Sequence, residues 1–140
     1  FIPQQKKALS LINEYLGEDF IWPIKGRVIS TFGQTYDNMI NKGMNITPNR
    51  PQDVVATRSG KVIFYSPDLK GFGKTIIIDH GDGFSTVYAG NSEVLIKTGD
   101  MIQKDTTIAK IGSSRSRNNY LHFEIRKGHV SQNPYFYLPR

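Results

Sequence analysis

The sequence predicts a mainly β, antiparallel fold behind one short N-terminal helix, on three observations. From Phe20 onward, short apolar runs alternate with turn signals such as Ser59-Gly60, Gly71-Phe72-Gly73 and Gly81-Asp82-Gly83. Residues 120–126 alternate strictly: Leu121, Phe123 and Ile125 are apolar, and Tyr120, His122, Glu124 and Arg126 are polar. Side chains two apart share one face of a strand, so this is a half-buried strand with a polar working face. Helical spacing is confined to residues 4–16, where Ala8, Leu9, Leu11, Ile12, Tyr15 and Leu16 form an apolar stripe ended by Gly17.

In order along the chain, strands are predicted at Val28–Phe32, Val54–Thr57, Lys61–Ser66, Thr75–His80, Ser85–Ala89, Val94–Lys97, Thr107–Ile111 and Tyr120–Lys127. Ile76-Ile77-Ile78 is a continuous apolar run, which predicts a central strand covered on both faces. Asn133-Pro134-Tyr135-Phe136-Tyr137-Leu138-Pro139 is expected to pack its aromatics back on the sheet, and its prolines argue against a regular element. The division expected is 1–19, helix and linker from a longer upstream region, and 20–140, one folded domain. The chain does not begin with methionine, so we expect it to be the C-terminal piece of something longer, its upstream part attaching it to a membrane or to division machinery.

Composition narrows the function classes. There are no cysteines, hence no disulfide framework and no thiolate metal site. No stretch has the apolar length of a membrane span. The net charge of +6 favours anionic partners. No dense basic run and no aromatic-glycine motif of an RNA-binding sheet accompanies it, so nucleic acid is not expected.

Several segments, in order, carry a resemblance. Trp22-Pro23 with Gly26 and Ile29-Ser30-Thr31-Phe32-Gly33 come first, then Lys42-Gly43-Met44-Asn45-Ile46. Gly71-Phe72-Gly73, Ile76–His80 and Thr86-Val87-Tyr88-Ala89 follow, and Lys97–Ile102, Ile108–Gly112, Tyr120–Arg126 and Asn133-Pro134 close the series. Together they resemble the lysostaphin/LytM family of zinc peptidases, which cut cell-wall peptidoglycan. The resemblance implies an antiparallel β-sheet sandwich or partly open barrel over residues 20–140. It places the family's three zinc ligands, His, Asp and His, on Asn41, Asn45 and His122, and its two catalytic histidines on Gly90 and Tyr120. Neutral amide oxygens suit hard cations better than zinc, glycine offers no group, and tyrosine is a poor base at neutral pH. The chain is therefore expected to be a non-enzyme without a cofactor, with His122 held by hydrogen bonds to Asn45 or a neighbouring carbonyl. His80 is expected to be a structural, hydrogen-bonded residue and His129 an exposed turn residue.

Asn41-Lys42-Gly43-Met44, Leu69-Lys70-Gly71-Phe72-Gly73 and Phe123-Glu124-Ile125-Arg126 resemble the degenerate LytM domains of EnvC-like and NlpD-like amidase activators more than the peptidases. That resemblance implies a protein partner, a zinc-dependent N-acetylmuramoyl-L-alanine amidase, in the cell envelope (periplasm). The old substrate groove would bind it, with Tyr88, Tyr120 and His122 within and Lys42, Arg115, Arg117 and Arg126 along the rim. The alternatives are a non-catalytic peptidoglycan-binding module and, against the ligand set, an active zinc endopeptidase. A biotinyl/lipoyl-type carrier fails for want of a Met-Lys pair in a hairpin.

Overall fold

A computed structural model describes residues 18–36, 38–112 and 119–140. The helix expected over residues 4–16 lies outside them, as do Arg115 and Arg117. The strands are β1 (Gly26–Ser30), β2 (Thr35–Tyr36), β3 (Met39–Ile40), β4 (Met44–Pro48), β5 (Gln52–Val55), β6 (Gly60–Ser66) and β7 (Lys74–Asp79). They continue as β8 (Phe84–Asn91), β9 (Glu93–Val94), β10 (Met101–Ile102), β11 (Thr107–Ile111), β12 (Leu121–Lys127) and β13 (Val130–Gln132). The larger sheet runs β1-β4-β12-β8-β7-β6-β10, with β13 paired to the far half of β12, and the smaller runs β5-β11-β9. All pairings are antiparallel. Among the described residues no pairing joins β10 back to β1, so the large sheet stays open rather than closing into a barrel.

The core fills the space between the sheets. Val62, Ile76, Ile78, Tyr88, Phe123 and Ile125 of the large sheet meet Val54, Ile108, Ala109 and Ile111 of the small one. This burial is the main favourable term for a domain without disulfides. Phe20 ties the start of the domain down: it is buried edge-to-face against Phe84, Tyr137 and His80. The Arg58 guanidinium lies over Phe20 and Phe84 and pairs with Asp82.

Differences from the predicted elements have local causes. β4 is a full strand, unpredicted because buried Asn45 interrupts its apolar pattern. Of the Val94–Lys97 run only Val94 pairs as a strand, in β9 with Glu93. The β2–β3 hairpin turns through Asn38 at φ +62°, a conformation asparagine tolerates. Ile76 and Ile78 are fully buried, as a central strand requires, but Ile77 is only half-buried because the other face of β7 floors a cleft. At the C-terminus Pro134–Phe136 forms one 3-10 turn, capped by the Asn133 side chain accepting from the Tyr135 N–H. Proline at the first position suits such a turn, since its missing N–H would have no partner there.

Candidate functional site

The cleft lies on the sheet face opposite the core and encloses about 670 Å³. Its floor is Thr75 and Ile77 of β7, Val87 and Ala89 of β8, and His122, Glu124 and Arg126 of β12. One wall is the β2–β3 hairpin with Asn38, Met39 and Ile40, beside Lys42. The other is the 69–73 loop with Leu69, Lys70 and Phe72. That loop reverses tightly, with positive φ at Lys70, Gly71 and Gly73 and the Asp68 carboxylate accepting from the Gly73 N–H.

Ladder register explains which side chains meet. Residues paired across antiparallel strands share a face, and His122 is the partner of both Asn45 on β4 and Ala89 on β8. His122 is nearly inaccessible, 3% exposed. Its Nδ1 lies 2.6 Å from Asn45 Oδ1 and its Nε2 2.7 Å from Glu124 Oε2. Arg126 donates from Nε to Glu124 Oε1 at 2.8 Å, and Phe72 stacks on the His122 ring at 5.2 Å. Burial alone would push the Glu124 carboxyl up. The hydrogen bond and charge of His122, with those of Arg126, outweigh it and hold the group below its ordinary value.

Asn41 is fully buried and committed elsewhere: its amide N–H donates to Ser30 Oγ and its oxygen accepts from the Gly43 N–H, both at 2.9 Å. Gly43 is required where it stands, because a Cβ would collide with the Phe123 carbonyl. Gly90 has φ +94°, and a Cβ there would lie 2.5 Å from the Tyr120 carbonyl oxygen. No histidine fits at this position without moving backbone. Tyr120 is half-buried outside the cleft lining.

Besides Tyr120, two other residues expected at the groove sit differently. Tyr88 faces the core, since it pairs with Phe123 rather than with His122 or Glu124. It is fully buried, its hydroxyl accepting from the Thr57 N–H at 3.1 Å and lying 2.7 Å from Thr86 Oγ1. Arg126 does line the cleft, but its guanidinium is bound to Glu124. Lys42 lines the cleft. Glu124, Met39, Ile40, Leu69, Phe72 and Ile77 were not singled out for the groove. The alternation through residues 120–126 puts Glu124 on the face of His122 and could have found it. The apolar wall residues have no comparable signal.

The donor set does not fit the zinc site that the fold implies. A catalytic zinc takes three protein ligands from His, Asp, Glu or Cys. At the three corresponding positions stand two neutral amides and one imidazole. One amide is bound to Ser30 and Gly43, and the other is hydrogen-bonded to the imidazole.

In sequence and fold the chain is similar to known proteins. A profile of peptidase family M23 matches residues 39–134. Over 119 residues the chain is 38% identical to murein hydrolase activator NlpD of Escherichia coli K12, covering 85% of this chain and 31% of that protein. It is 39% identical to outer membrane antigenic lipoprotein B of Haemophilus influenzae, covering 85% of this chain and 29% of that one. The chain thus spans about a third of the length of these relatives. A chain of the SpoIIQ–SpoIIIAH pore-forming complex superposes with a TM-score of 0.75 at 29% identity, over 86% of this chain and 91% of that one. Lysostaphin of Staphylococcus simulans shares the fold, with a TM-score of 0.66 at 23% identity, over 79% of this chain and 48% of that one.

Proposed function

The chain belongs to peptidase family M23, the LytM family, and from that premise we propose that it is a non-catalytic member that binds and activates a cell-wall N-acetylmuramoyl-L-alanine amidase. The observation that carries this reading is the state of His122. The imidazole is held between the Asn45 amide and the Glu124 carboxylate, where the family's peptidases hold a metal. The similarity to a named murein hydrolase activator supports the same reading. With hydrolysis removed, what remains is an open cleft of about 670 Å³ with an apolar lining and cationic rim, suited to a protein segment. The chain acts in the cell envelope, in peptidoglycan remodelling and daughter-cell separation. It docks a helix of the zinc-dependent amidase and draws it off that enzyme's active site.

Release of dye from labelled peptidoglycan tests the proposal. The chain alone should release none, the amidase alone little, and the mixture much more. Wall lysis by the chain alone would overturn the non-enzyme reading. Sedimentation with insoluble peptidoglycan, without any amidase binding, would favour the wall-binding module instead.

A further inference from the structure

The cleft has apolar jaws as well as a basic rim, and we infer that the jaws carry the grip. The β2–β3 hairpin and the 69–73 loop close on a segment of the partner that bears an aliphatic row bordered by carboxylates. This rests on the activator reading and names the chemistry of what the cleft holds.

Ile40 is 68% exposed and Met39 44% exposed, both on a two-residue strand that contributes no side chain to the core. Across the cleft stand Leu69 and Phe72, and Ile77 lies half-buried on the floor between. Met39 and Ile40 are exposed opposite half-buried Leu69 and Phe72; the two hairpin side chains have no folding reason to be apolar, and such patches mark contact surfaces.

Charge selects the occupant. Arg126 lines the cleft but is balanced by Glu124. Among the described residues neither Lys42 nor Lys70 has a carboxylate within ion-pair distance. Asp68 at the root of the 69–73 loop accepts from the Gly73 N–H, so Lys42 and Lys70 outnumber it, and the rim complements an acidic segment. The chain's own apolar stretch at residues 4–16 is a poorer occupant, since it carries Lys6 and Lys7 against the single Glu14.

The test compares Ile40→Asp with Ile40→Lys, two equally polar replacements at an exposed position, for binding to the purified amidase. Ile40→Asp should weaken binding by about tenfold or more, and Ile40→Lys should lose less because the partner is acidic. Phe136→Asp, a change at an exposed aromatic outside the cleft, should leave binding unchanged. Lys42→Glu with Lys70→Glu should slow association and flatten its salt dependence. Wild-type binding by Ile40→Asp would overturn the jaw and leave the activator reading standing. Equal or greater loss in Ile40→Lys would overturn the acidic chemistry. An unaltered chain that binds no amidase would remove the activator reading and this inference together.

Discussion

The two faces of the large sheet each carry a buried histidine, and the two are built on opposite principles. On the core face His80 donates from Nδ1 to the Ser59 carbonyl at 2.7 Å. Its Nε2 lies 2.9 Å from the Thr86 hydroxyl, and the chain of contacts runs on through Tyr88 to Thr57. Burial, reinforced by nearby Arg58, pushes His80 down to about 4. The Ser59 hydrogen bond and the Asp82 and Asp79 charges oppose this. This network is neutral and belongs to the fold. On the cleft face His122 sits against a carboxylate backed by a guanidinium, so the network is ionic, and Arg126 at its end is about a third exposed. Each ring nitrogen of His122 has a side-chain oxygen beside it, which avoids the cost of a buried polar atom without a partner.

Removing the hub of the ionic network is the harshest way to break the comparison. Glu124→Ala leaves His122 and Arg126 facing a gap, and breaking a buried pair this way costs about 3–5 kcal/mol. Urea unfolding at neutral pH should show that loss, whereas Arg126→Ala, at the exposed end, should cost about 1 kcal/mol or less. A stability unchanged by Glu124→Ala would mean the network is decorative.

The next effect is a titration. Between pH 6.5 and about 4 the unfolded chain binds a proton at His80 that the folded chain refuses. Stability therefore rises with pH through that window. The contribution is full above 6.5 and is lost as pH falls toward 4, to a total of about 3 kcal/mol. Glu124 acts in the adjoining window: its depressed value gives stability that is present above its ordinary 4.5 and lost as pH falls further. Unfolding free energies measured across both windows should lose the upper slope in His80→Gln and the lower one in Glu124→Gln. An upper slope surviving in His80→Gln would assign it to another group.

Much of this was legible in the sequence because period-two alternation reports directly on strands with one wet face. Thr107–Ile111 is a strand as predicted, and Lys61–Ser66, Thr75–His80 and Tyr120–Lys127 match β6, β7 and β12 within a residue at either end. The alternation at 121–126 separates core from cleft side chains, with Tyr120 falling outside the cleft lining. Illegible were features that depend on pairing between distant strands. β4 was hidden by Asn45, whose burial is explained only by His122, 77 positions away. Tyr88 is expected in the groove or, no less, packed in the core, and register against Phe123 turns it inward. Tyr88→Phe tests that placement. It strips the acceptor from the buried Thr57 N–H and should cost about 1–2 kcal/mol, with amidase activation intact in calorimetry-matched samples. Loss of activation at full stability would put the ring back in the groove.

The smallest expected change in stability separates ion binding from catalysis. In Asn45→Asp a carboxylate gains a charge-assisted bond to His122, roughly twice as strong as the neutral one. It also loses hydration at a site only 2% exposed, and it faces Glu124 across the ring. These terms oppose each other, and the net should be within about 1 kcal/mol. Elemental analysis should find little zinc in this variant, because the Asn41 amide is still bound to Ser30 and Gly43. Asn41→His added to Asn45→Asp completes a three-ligand set and should bring zinc toward stoichiometric levels. Even so the loaded variant should not cut peptidoglycan. Gly90, where the family resemblance would put a catalytic histidine, has no room for a side chain beside the Tyr120 carbonyl. Stoichiometric zinc in the unaltered chain, or hydrolysis by the double variant, would show that the cleft face kept more of its chemistry than its donors allow.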